Sequence, residues 1–219
     1  MFSGFYLEII LAIKVTISVA VGASVFGIII GLVSALLEFQ PRNGLAIKLI
    51  NMFIRGIPEI LILFVIYFGI TAVISKISGS YFEINPLTAG IIALGIIFQA
   101  YAAEVFIAAF NAIDKGEIKA AQALGMTNTS CFIAIILPQI GRHALPGLFN
   151  LWLVILKDSS IVSLIGLNDM TNQAQIAANQ SFEPFTYYGF VGLLYLGLTA
   201  ISQIIYKGLN HWFSRGHYA

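Results

Sequence analysis

Apolar residues follow one another along this chain in long runs, with neither the two-residue alternation of a half-buried strand nor the heptad spacing of a coiled coil. A helix needs about 20 mostly apolar residues to cross a bilayer, and five runs reach or approach that length. The first is Ile9 to Leu37, free of charge after Lys14. The second lies within Leu45 to Ser75 and includes the charged stretch Arg55 to Glu59. Its charge-free part, ILILFVIYFGITAVIS, is 16 residues, so this helix is expected to tilt in from upstream or barely span. The third is Pro86 to about Ile113, interrupted by Glu104. The fourth is Pro146 to Leu167, and the fifth is Pro184 to Tyr206. One more apolar run, CFIAIILPQI, is too short to cross and is closed by Pro138. The pattern predicts an all-α integral membrane protein of five transmembrane helices. With no linker and no evident repeat, residues 1–219 read as one domain.

Composition agrees with the pattern. The chain has 219 residues, 59% hydrophobic and only 10% charged, with a mean hydropathy of +0.93. A soluble domain carries about 25% charged residues and uses them to cover itself in water. A net charge of +1 gives no reason to expect a nucleic-acid partner. The single cysteine, Cys131, cannot form an intrachain disulfide. The N-terminus, MFSGFYLEII, lacks the basic region of a signal peptide, and the run behind it is longer than a signal peptide's apolar core.

Charge placement orients the chain. Five spans put the termini on opposite sides. With the N-terminus outside, Arg42, Lys48, Arg55, Lys115, Lys119, Arg142, Lys207 and Arg215 fall in inner segments, Lys76 stays outside, and Lys14 and Lys157 lie within spans. The reverse orientation inverts the bias, so the positive-inside rule predicts the N-terminus outside and the C-terminus inside. In this topology the stretch LWLVILKDSSIVSLIGL, residues 151 to 167, holds Lys157 and Asp158 near the middle of the fourth span. Neighbouring helical residues point in different directions and are not expected to pair. Each then needs a partner elsewhere or a watery cavity. A fourth span that began later would leave too few residues from Ser159 to cross before Asn168.

The longest inner segment, residues 114 to 146, opens with helix-favouring residues up to Leu124. It then meets Gly125, suited to the position just past a helix end. Helix, glycine turn and helix make a compact protrusion that fits a docking element or an interfacial loop. Within it, AAQALG followed by IILP resembles the EAA motif of ABC importer permeases. Ala120 and Ala121, then Gly125, then Ile135, Leu137 and Pro138 stand at the family spacing. The glutamate position of that motif holds Lys119, with Glu117 two residues earlier. RGIPEILILFVIYFG (55 to 69), AYAAEVF (100 to 106), residues 137 to 170 and EPFTYY (183 to 188) are similar to the polar amino acid branch of these permeases, the last two most of all to subunits of arginine importers. After Glu104, where the family commonly has a basic residue and glycine, this chain has Ala108 and Ala109.

The resemblance implies a type I ABC importer permease, paired as a homo- or heterodimer around a central path in the bacterial cytoplasmic (inner) membrane. It also implies a coupling-helix loop at about 114–145, in which Glu117, Lys119, Ala120, Ala121, Gly125 and Pro138 meet two cytoplasmic ATPase subunits. An extracytoplasmic amino acid-binding protein would deliver a polar, basic, arginine-like amino acid, and ATP-driven alternating access would move it. The chain has no G-x-x-x-x-G-K-[ST] phosphate loop, so it is expected to bind no cofactor itself. ATP and Mg would belong to the partner, and this subunit would not be an enzyme.

Lys14, Glu59, Glu104, Lys157 and Asp158 are embedded or nearly so, three acids against two bases. A cationic amino acid would supply the missing positive charge, with its α-carboxylate facing Lys157 or a helix N-terminus. Gln99, Asn150 and Ser159 add neutral hydrogen-bonding groups to this expected path. Glu59 has a second reading, as a helix cap paired with Arg55 four residues earlier. Glutamine or another polar amino acid remains an alternative substrate, as does an ion-coupled transporter working without an ATPase. An intramembrane hydrolase fits poorly, because no H-E-x-x-H is present and the three histidines, His143, His211 and His217, fall towards the inner surface; no metal site is expected. Residues 168 to 184 suit an external gate, a binding-protein contact or a solvated loop. The aromatics at 182, 185, 187 and 188 read as an interfacial belt.

Overall fold

In lipid every backbone polar group must be satisfied within the protein, which leaves helices as the simplest spanning element. A computed structural model describes residues 3–39 and 44–214, and these residues contain helices and no strand. In chain order they are α1 (Ser3–Glu38), α2 (Gly44–Gly56), α3 (Glu59–Ser78), α4 (Pro86–Asn111), α5 (Lys115–Ala123), α6 (Asn128–Ile165), α7 (Met170–Ser181) and α8 (Pro184–Ser214). Five of these, α1, α3, α4, α6 and α8, are long and apolar enough to cross a membrane. Arg42, Arg215 and His217 lie outside the described residues.

Two span boundaries differ from those the sequence predicts. The second span does not lean in from Leu45. The helix breaks at Ile57 and Pro58, so α2 is a separate amphipathic helix and α3 begins at Glu59. Pro58 lacks the N–H that would continue the ladder. The fourth helix, in contrast, starts well before Pro146. The run CFIAIILPQI is its beginning, because a π-turn at Phe132–Ile136 precedes Pro138 and Pro146 is carried inside the helix. A π-turn loosens the ladder locally and lets a proline follow without ending the helix. Lys157 and Asp158 therefore lie toward the C-terminal end of this longer helix. They end the α-helical part of α6, which tightens to a 3₁₀ segment over Ser159–Ile165.

α4 is the hub, with half of its residues buried, while α8 turns most of its apolar surface outward. α1 packs along α4 through small residues. A Cβ added at Gly31 would lie 2.8 Å from the Ala102 Cβ and 3.0 Å from the Gln99 carbonyl oxygen. Such close approach is how helices gain dispersion contacts where no hydrophobic effect drives them together. A second cluster joins the start of α1 to α7 and α8 through Ile9, Met170, Ala174, Ala177, Tyr187 and Val191. Tyr187 is buried there, with its ring centroid 5.4 Å from that of Tyr6. It is therefore core rather than belt, whereas Phe182, Phe185 and Tyr188 are exposed.

Candidate functional site

α3, α4 and α6 enclose a cavity of about 270 Å³. Glu59, in the first turn of α3, and Asp158, at the end of α6, both line it, with Ile97, Phe98 and Tyr101 of α4 between them. The two carboxylates are near enough for their charges to interact, and each is half-buried. Among the described residues neither has an ion-pair partner. Two acids thus line a recess that is otherwise largely apolar and aromatic, where an uncompensated charge is costly.

The other residues expected on the path go elsewhere. Glu104 is held by Arg55, whose Nη2 donates to Glu104 Oε1 at 2.6 Å, so Arg55 does not pair with Glu59. Gln99 is buried on another face of α4 and donates to Asn51 Oδ1 at 3.3 Å. Asn51 in turn donates to Ser34 Oγ at 2.9 Å. This chain of polar groups pins α2 between α1 and α4. Ser159 is fully buried and donates to the Leu156 carbonyl oxygen at 2.7 Å. Lys157 and Asn150 are exposed and do not line the cavity. The contribution of Tyr101 was hidden in the sequence, because only packing decides which face of an apolar helix meets a given neighbour.

The segment after α4 is built as the spacing suggests. Asp114 caps α5 by accepting from the Gly116 N–H at 2.7 Å. At the other end Gly125 has φ 78°, its N–H donates to the Gln122 carbonyl, and the Met126 N–H donates to the Ala121 carbonyl. That is a Schellman turn, which needs the left-handed conformation glycine adopts freely. Lys119, Ala120 and Leu124 are exposed on this protrusion, whereas Ala121 is buried. Glu117 accepts from the Gln139 side chain and so braces α5 against α6. Pro138 is exposed in the first turn after the π-turn.

These features define a multi-span helical membrane protein with a carboxylate-lined recess between its spans and a capped helical protrusion at one end. Residues 27–215 match the family described as binding-protein-dependent transport system inner membrane component, and the chain belongs to that family. It is 39% identical to the arginine ABC transporter permease protein ArtQ of Haemophilus influenzae, over 98% of this chain and 97% of the relative. It is 36% identical to the histidine/lysine/arginine/ornithine transport system permease protein HisQ of Escherichia coli, over 99% and 97%. Among solved structures it superposes with TM-score 0.83 and 30% identity on a crystal structure of an amino acid ABC transporter with histidines, covering 95% of both chains. An inward-facing MetNI methionine ABC transporter matches with TM-score 0.79 over 98% of this chain and 100% of the other. At 19% identity it shows the fold alone.

Proposed function

We propose that this chain is the permease subunit of an ATP-driven importer for a basic, arginine-like amino acid. Glu59 and Asp158 would receive the cationic end of the substrate. The observation that carries the reading is the pair of carboxylates in one cavity, without ion-pair partners among the described residues. The names of the relatives, which specify arginine, histidine, lysine and ornithine, support the same charge class. The α5 protrusion, with Lys119, Ala120 and Leu124 outward, is the contact for a separate ATPase, which supplies ATP and Mg. The remaining partners in this reading are a second permease subunit and an extracytoplasmic binding protein. The protein sits in a bacterial inner membrane with its N-terminus outside, and the bundle alternates access around the cavity.

Asp158→Asn and Glu59→Gln keep shape and remove charge, so both variants should insert. Losing one charge-assisted contact costs about 1.5 to 3 kcal/mol, or roughly 10- to 150-fold in affinity at the translocation site. Uptake titrated with arginine should show this loss in each variant, while binding to the isolated soluble receptor stays unchanged. Arginine uptake with wild-type affinity in both variants would exclude the cavity as the cation site.

A further inference from the structure

The α5 protrusion holds its charges unequally. Its two acids are engaged, Asp114 in capping the helix through the Gly116 N–H and Glu117 in accepting from the Gln139 side chain of α6. Its two lysines are not. Lys115 and Lys119 are exposed, and among the described residues neither belongs to an ion pair. Four residues apart, they share one face of the helix, where like charges repel each other. Gln122, three residues beyond Lys119, continues that face and is exposed. At the end of the helix, beside the Gly125 turn, Leu124 is 83% exposed.

A bilayer surface does not suit this pattern. A helix that lies on lipid presents a continuous apolar face to it. The apolar face of α5 is turned inward instead, since Ala121 is buried and Ile118 packs against the core. Leu124 is left as a single apolar anchor beside a cationic face, which is the make-up of a protein contact with a buried centre and a polar rim. We infer that this face meets an acidic surface, a socket on the ATPase with carboxylates opposite Lys115 and Lys119 and an apolar pocket for Leu124. Leu124 supplies the burial, and the lysines fix the orientation. The inference rests on the reading of α5 as the ATPase contact and adds the chemistry of the surface it meets. Lys119 stands at the glutamate position of the EAA motif, so that surface carries the sign opposite to one that would receive glutamate there.

Carbodiimide coupling on the assembled transporter, in phosphatidylcholine nanodiscs, reads the contact directly, since it joins an amine to a carboxylate with no spacer. Mass spectrometry should find Lys119 linked to an aspartate or glutamate of the ATPase. Lys119 left unlinked, or linked to carboxylates of its own chain alone, would overturn the inference. In the same discs Lys119→Glu should weaken ATPase binding by at least about tenfold, and by less as salt rises. Lys119→Met should lose less and flatten the salt dependence. Unchanged binding in Lys119→Glu, or a loss that needs phosphatidylglycerol in the discs, would mean that the lysine faces no carboxylate of the ATPase. Leu124→Asp separates this inference from the reading beneath it. If that variant binds the ATPase as tightly as wild type, α5 is not the contact; if it alone loses binding, the contact stands and its acidic character falls.

Discussion

Glu104 and Asp169 show how differently two acids can be held in one bundle. Glu104 is matched by Arg55, whose Nη2 lies 2.6 Å from its Oε1, so its charge is already compensated within the chain. Glu104→Gln should therefore change arginine affinity by less than about fivefold in the same uptake titration that shows the loss for Asp158→Asn. A loss as large as that of Asp158 would return Glu104 to the path. Asp169 has no such partner, and burial raises its carboxyl to about 6 against the opposing pull of backbone N–H bonds. The folded state then binds the proton more tightly than the unfolded chain. Stability from this group is full below pH about 4 and is lost as pH rises to about 6. Asp169→Asn retains a cap and removes the titration. Across that window wild type should lose at most about 3 kcal/mol relative to the variant. Tm measured against pH for both proteins checks it, and parallel curves would contradict it.

At the scale of elements, the spans were legible because lipid demands length, and their ends were less so. Pro146 reads as a helix start in any soluble chain, yet here neighbouring helices and the upstream π-turn keep α6 continuous. Glu59 and Asp158 could be singled out because a charge in an apolar run is costly. Gln99 and Ser159 could not be sorted from them, since the faces they occupy depend on how α4 meets α2 and how α6 tightens at its end. The turn at Gly125 was legible residue by residue. Gly125→Val places a β-branched side chain at φ 78°, which costs about 1 to 3 kcal/mol of local strain. The variant should insert normally and lose substrate-stimulated ATP hydrolysis in the purified complex. Full stimulation would show that α5 is not the docking element.

For the whole molecule, orientation is the assignment on which the placement of every partner depends. In a Cys131→Ser background, a cysteine at Ser78 should react with an impermeant reagent added outside, and one at Asn128 should not. The opposite pattern would invert the molecule and move the protrusion to the receptor side. The cavity itself has a mechanical consequence. Its two acids are carried by different helices, α3 and α6, with α4 between them. In the proposed function, drawing α3 and α6 together without substrate would force like charges closer in a medium that screens them poorly. A cation between the acids would turn that resistance into attraction. Closure would then be easy only with cargo aboard, and the bundle would weigh its load by charge before it moved.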